Sequence, residues 1–196
     1  MGIIKLITFV GLFFLFACTH QMNVSSNYVA SNPDQFKSSK LKERRVALLI
    51  GHGLQNYVLV KKVSSKAGGY IIKDKFNFFL GNAVAAEIEN MARVIFDEVQ
   101  LASSFNEAID SGIVSIVPEI VGSSLDLPVK RGGDTTAWIT VEYHFYGADG
   151  VLITEKTVTG KWSKSLLLTK ENYNMAFQRA IIDLTIKSKR IIENAL

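Results

Sequence analysis

The side chains best suited to chemistry in this 196-residue chain are one cysteine, Cys18, and three histidines. His20 follows the cysteine closely, His52 stands between two glycines, and His144 alternates with apolar residues in an extended segment. The histidine spacing matches no zinc-ligand pattern, and a single cysteine excludes an intramolecular disulfide and a cysteine-rich metal site. We therefore predict neither a metal site nor a cofactor.

Two of the histidines invite a catalytic interpretation. His52 lies in a glycine-framed loop after an apolar segment, a position that suits a general base; a mobile surface loop explains the same residues more simply. Glu142 and His144 are two apart on one strand face, which permits a pair, but exposed sheet faces commonly carry such neighbours. The chain contains neither a GxSxG nor a P-loop sequence. We predict that the protein is not an enzyme, and we assign no catalytic residue.

The N-terminus has the three parts of a signal peptide: a short region with Lys5, a predominantly apolar stretch from Leu6 to Ala17, and polar residues from Thr19 onward. An apolar stretch of about a dozen residues is shorter than the roughly twenty that a membrane-spanning helix requires. The sequence therefore predicts a cleaved signal peptide over residues 1–17, with an uncleaved signal anchor as the alternative.

The residues that end this leader, Leu15-Phe16-Ala17-Cys18, resemble the bacterial lipobox. The resemblance implies cleavage before Cys18 and acylation of Cys18, whose thiolate is a strong nucleophile. Several acyl chains on one residue anchor a protein durably, whereas one chain binds only marginally. In the enterobacterial pattern an aspartate after the cysteine retains the protein in the inner membrane. Thr19 stands there instead, so the resemblance implies the periplasmic face of the outer membrane.

Beyond the cysteine, the composition predicts a linker and one domain. Removing the leader, whose only charge is Lys5, leaves 21 basic and 18 acidic residues, a net charge of +3 that does not by itself indicate nucleic-acid binding. Residues 18–40 are rich in Ser, Asn, Gln and Lys and predict a flexible tether with a span of about 25 Å. Tyr28 and Phe36 leave open that this segment docks on the domain. Residues 41–196 are predicted to form a single periplasmic domain.

Hydrophobic periodicity predicts an α+β fold, a mostly antiparallel sheet with two amphipathic helices packed on it. Asp149-Gly150 marks a hairpin turn, and residues 122–135 are predicted to form an exposed loop. The predicted strands are 45–50, 113–120, 137–146 and 151–159, and the predicted helices are 77–99 and 169–193.

A lipobox, a polar linker and a small α+β domain resemble envelope lipoproteins of the YajG-like group, accessory lipoproteins of trans-envelope assemblies, and penicillin-binding-protein activator lipoproteins. With no catalytic motif, we expect an anchored accessory or scaffold that binds an envelope protein through a sheet edge or the loop 122–135. The alternative is a carrier or sensor of a small apolar ligand, such as a lipid or cell-wall fragment, near Phe76, Phe78 and Phe79. Cys18 is the only functional residue that the resemblance carries over.

Overall fold

A computed structural model of the chain describes residues 18–67, 70–128, 133–165 and 169–196, and the predicted signal peptide lies outside them. The α+β class is confirmed, but the strands form two sheets, ordered β1-β4-β3 and β5-β2-β6-β7-β8. No helix in the described part is long and apolar enough to cross a membrane. The strands are β1 (Thr19–Asn23), β2 (Arg45–Leu49), β3 (Val58–Ala67), β4 (Tyr70–Phe79), β5 (Glu98–Ala102), β6 (Ser115–Asp126), β7 (Asp134–Tyr146) and β8 (Leu152–Ser165); the helices are α1 (Tyr28–Ser31), α2 (His52–Gln55), α3 (Gly81–Ile95), α4 (Phe105–Asp110) and α5 (Lys170–Ala195), with a 3₁₀ turn at Pro33–Gln35.

Strand β2 lies inside the five-stranded sheet and pairs in parallel with both β5 and β6. Val46 and Leu48 face the main core, while Ala47 and Leu49 face a smaller cluster that includes Ala108 of α4. Burial on both faces explains why the strand is a continuous apolar run rather than an alternating one.

Strands β6, β7 and β8 form an antiparallel meander. The predicted hairpin turn between β7 and β8 is confirmed, with Gly150 at a φ of +75°. The predicted loop over residues 122–135 is wrong at both ends, because β6 continues to Asp126 and β7 begins at Asp134. Residues 129–132 of that loop lie outside the described part. A register shift between Ile120 and Gly122 interrupts the alternation of inward and outward side chains in β6. The second half of the strand therefore lacks a strand-like sequence pattern.

Helix α5 covers one face of β7 and β8. A Cβ atom at Gly160 would lie 2.2 Å from the carbonyl oxygen of Ala180 and 2.5 Å from Cβ of Leu184, so the helix approaches the strand as closely as a glycine permits. The fully buried Tyr143 donates a hydrogen bond of 2.8 Å to Oγ of Ser188 on the same helix. This packing places the second predicted amphipathic helix on the sheet.

The three-stranded sheet contacts the same helix through aromatic rings. Phe76 packs edge-on against Tyr173 with ring centroids 5.5 Å apart, and Phe78 lies 4.8 Å from Phe177. Phe76 and Phe78 alternate with partly exposed residues, so this segment extends as β4. The first predicted helix consequently begins at Gly81, four residues later than predicted.

Residues 18–40 are not a flexible coil, so the predicted tether is corrected. β1 pairs in parallel with β4, and the side chains of Val29 and Phe36 are buried in the main core. Met22, Val24, Val29 and Phe36 are buried in the core although they are too widely spaced to give a hydrophobic period. The open alternative, that Phe36 docks on the domain, is the arrangement that the structure adopts.

A buried carboxylate fixes this segment to α3. Glu87 is fully buried and accepts hydrogen bonds from the hydroxyl of Ser26, the backbone N–H of Tyr28 and the backbone N–H of Val29. Two of these donors belong to the first turn of α1, whose N–H groups have no partner within the helix. Glu87 therefore stabilises α1 and attaches the N-terminal segment to the domain.

Candidate functional site

Cys18, the predicted lipidation site, is exposed at the entrance to the edge strand β1. Its carbonyl oxygen accepts a hydrogen bond of 3.0 Å from the N–H of Lys75 on β4, and Thr19 already belongs to the sheet. The thiol thus lies outside the core, where modification requires no unfolding. His20, predicted to lie in a tether, instead packs its ring against Phe76 and lies 3.4 Å from Asp74.

A crevice of about 460 Å³ opens at the carboxyl ends of β2 and β5. From β2 the chain proceeds to β5 on one side and then to β6 on the other, so the crevice lies at a topological switch point, where open α/β sheets commonly bind ligands. Its polar lining comes from α2, α3 and the start of α4. It comprises His52, Gln55, Asn82, Glu89, Ser103 and Glu107.

The acidic groups of the crevice already have partners. Glu107 accepts hydrogen bonds from the hydroxyl and the N–H of Ser103, at 2.6 and 2.8 Å, and these bonds hold the pKa of its carboxyl below the usual value. Glu89 accepts from the guanidinium of Arg93 at 2.8 Å. The imidazole of His52 has no hydrogen bond or ion pair among the described residues.

On the opposite part of the sheet the structure brings together Glu142, His144 and Glu155. Nε2 of His144 lies 3.7 Å from Glu142 and 3.5 Å from Glu155, and the three candidate ligand atoms lie within 4.8 Å of one another. Glu142 and His144 were considered as a pair from sequence, but Glu155 was missed. The register of the hairpin, which places Glu155 opposite His144, is the signal that would have found it. The group forms ion pairs when His144 is protonated.

Among the residues that the structure describes, cover over the edge strand β8 extends along one half only. Oδ2 of Asp183 accepts the outward N–H of Lys161 at 2.8 Å, and Nζ of Lys187 donates to the outward carbonyl of Thr159 at 3.1 Å. At the other end, three large apolar residues are 43–61% exposed: Val151, Leu152 and Ile153. An uncovered strand edge with apolar neighbours is a template for pairing with another chain.

No protein-family profile matches the chain, and no curated protein shows significant sequence similarity to it. A crystal structure of a Xanthomonas campestris protein of the family DUF330 has a TM-score of 0.52 at 9% identity, over 91% of this chain and 96% of that one. The structure of a minor lipoprotein from Acinetobacter baumannii has a TM-score of 0.42 at 15% sequence identity, over 77% of this chain and 93% of that one. The structure of a PelC dodecamer from Paraburkholderia phytofirmans has a TM-score of 0.39 at 12% sequence identity, over 75% of this chain and 95% of that one. The likeness to the DUF330 protein shows a shared fold. The other two TM-scores lie below 0.5 and do not establish one.

Proposed function

We propose that the chain is a bacterial envelope lipoprotein, anchored through Cys18, that serves as a non-catalytic accessory or scaffold for an envelope protein assembly. The observation that carries the proposal is the placement of the lipobox cysteine, which is exposed at the start of an edge strand. Acyl chains can be attached at this position without disturbing the core. Because Thr19 and not aspartate follows the cysteine, we propose the periplasmic face of the outer membrane.

The scaffold role is supported by the half-open edge of β8. The backbone N–H of Lys161 points away from β7. Because N–H groups alternate in direction along an antiparallel strand, the N–H of Thr157 points the same way. A partner strand added at this edge would gain main-chain hydrogen bonds, and the exposed Ile153 would supply apolar contact.

Two of the three phenylalanines near which an apolar ligand was expected to bind are core residues. Phe76 and Phe78 are 5% and 0% exposed, and their rings pack on α5. They fill the core between helix and sheet. Phe79, the third residue named for an apolar ligand, is only partly buried, and a ligand site beside it stays the alternative to the scaffold.

The anchor is tested by intact mass spectrometry of the membrane-extracted protein beside a Cys18→Ala variant. We expect a mature mass that begins at Cys18 and includes acyl chains, and we expect the variant to lose them. An unmodified full-length mass would overturn the anchoring proposal. Thr19→Asp should move the lipidated protein to the inner-membrane fraction; an unchanged distribution would remove the basis for the outer-membrane assignment.

The scaffold role is tested by affinity purification of variants at a single position of the β8 edge. Thr157→Pro removes an outward N–H, which proline lacks, and leaves the bonds to β7 intact. Thr157→Ala is the matched control, because it removes the side chain and keeps the N–H. We expect an envelope protein that co-purifies with the wild type and with the alanine variant to be lost with the proline variant. Equal recovery from all three, or no partner at all, would contradict this use of the edge.

A further inference from the structure

The positive charge of the mature chain is concentrated on the hairpin of β3 and β4. Residues 61–75 contain five lysines and one aspartate, a net charge of +4. Because the whole mature chain carries +3, its remaining residues together carry −1. A sequence that is only mildly basic overall therefore has one strongly basic segment.

Among the lysines whose side chains the structure describes, three share one face of the sheet. Lys62 lies directly opposite Lys75 in the register, and Lys73 precedes Lys75 by two residues on the same strand. Like charges in directly opposed positions repel, and among the described residues no carboxylate pairs with any of the three. Asp74 points to the other face, where it lies against His20. This basic face, defined by Lys62, Lys73 and Lys75, lacks a counter-charge from the described residues.

The basic face lies beside the proposed lipid attachment. The N–H of Lys75 is hydrogen-bonded to the carbonyl of Cys18, and β4 runs parallel to β1. The part of β4 before Lys75 therefore extends beyond Cys18, away from the buried core that begins at Phe76. From Lys75 to Tyr70 this extension measures about 16 Å at 3.3 Å per residue. Acyl chains on Cys18 would hold these lysines within reach of lipid headgroups.

We propose that the basic face binds the anionic phospholipid headgroups of the bilayer in which Cys18 is anchored, and so fixes the orientation of the domain on that membrane. This inference rests on the proposed lipidation of Cys18. Each lysine near an anionic leaflet strengthens binding about fivefold, so three together contribute about a hundredfold. Exposed charges are screened within about 3 Å at molar salt, and the contact should weaken accordingly.

The experiment uses the lipidated protein reconstituted in vesicles, with Ser64→Cys as an added labelling site. Ser64 is exposed and lies opposite Lys73, and acylation of Cys18 leaves the new thiol as the only one to label. A fluorophore at this position reports access of a neutral aqueous quencher in phosphatidylglycerol/phosphatidylethanolamine vesicles and in neutral phosphatidylcholine vesicles. A label at Thr157→Cys, on the exposed face of β8, is the positional control.

We expect the Ser64→Cys label to be protected severalfold in phosphatidylglycerol vesicles and accessible in neutral vesicles and at high salt. Neutralising the basic face (Lys62→Gln, Lys73→Gln, Lys75→Gln) should abolish the protection. Neutralising three exposed lysines of β8 (Lys156→Gln, Lys161→Gln, Lys164→Gln) should leave it unchanged.

Equal quenching in both kinds of vesicle, with acylated Cys18 confirmed by mass, would overturn this inference while the anchoring proposal stands. Protection in neutral vesicles only after polyphosphate is added would assign the basic face to a soluble polyanion and overturn the membrane contact. An unmodified Cys18 would overturn both proposals, because the anchor that brings the hairpin to a bilayer would be missing.

Discussion

Replacing Glu87 with glutamine should destabilise the protein and release residues 18–40 from the domain. The Oε1 atom of Glu87 accepts from the hydroxyl of Ser26 and the N–H of Tyr28, and the Oε2 atom accepts from the N–H of Val29 at 3.0 Å. Glutamine has the same length but only one acceptor oxygen. Its NH₂ group must therefore face a donor at one of the two positions.

The magnitude follows from these three bonds. A buried donor left unsatisfied costs about 1–3 kcal/mol, and each of the two remaining bonds weakens by about 0.5–1 kcal/mol on changing from charged to neutral. Relief of the desolvation cost of a buried carboxylate offsets part of this loss. We expect the free energy of unfolding to fall by about 2–4 kcal/mol, which for a domain of this size lowers the Tm by about 4–16 °C.

Urea unfolding followed by circular dichroism measures the loss, and limited proteolysis reports whether residues 18–40 are released. Glu89→Gln is the control, because Glu89 lies on the same helix but makes an exposed i,i+4 pair with Arg93. Such a pair contributes about 0.5 kcal/mol or less. If Glu87→Gln is as stable as the control and its N-terminal segment resists protease equally, the side chain of Glu87 does not hold residues 18–40 on the domain.

Three further predictions concern single side chains. Gly160→Ala should cost about 1–3 kcal/mol or more in urea unfolding, because its Cβ would meet helix backbone, whereas Gly53→Ala, with no atom within 4 Å, should be nearly neutral. Tyr143→Phe should cost about 1–2 kcal/mol, because the buried bond to a serine hydroxyl is lost, and equal stability would contradict this. The pKa of Glu107 is lowered, so its contribution to stability is present above pH 4.5 and is lost as pH falls through the folded value; Ser103→Ala should raise that pKa in an NMR titration.

Local pattern was enough to predict most of the large elements. The alternation in β7 and the Asp-Gly turn before β8 identify the hairpin, and the three- and four-residue spacing identifies α5, because these signals repeat over many residues. The N-terminal segment was mispredicted because its few apolar side chains are too widely spaced to give a period. The segment is hydrogen-bonded to Glu87, which lies about 60 residues away in sequence.

Among the candidate sites too, those marked by a local sequence pattern were predicted, and those formed by residues distant in sequence were not. Cys18 was singled out from sequence because the four residues that resemble a lipobox are contiguous, and His52 was singled out by its flanking glycines. The crevice around His52 could not be predicted, since it is assembled from three helices and two parallel strands that meet only in the fold. The basic face was missed although every lysine is visible in the sequence. Only the pairing of β3 with β4 shows that Lys62 and Lys75 oppose each other.

The corrected N-terminal segment also changes what an anchor on Cys18 would do. A flexible coil of 22 residues would let the domain range about 25 Å from the bilayer. Here Thr19 is already paired with Lys75, so the lipid would be joined almost directly to the three-stranded sheet. An acylated domain of this kind would be held against the membrane surface, and any partner would have to approach that surface to bind it.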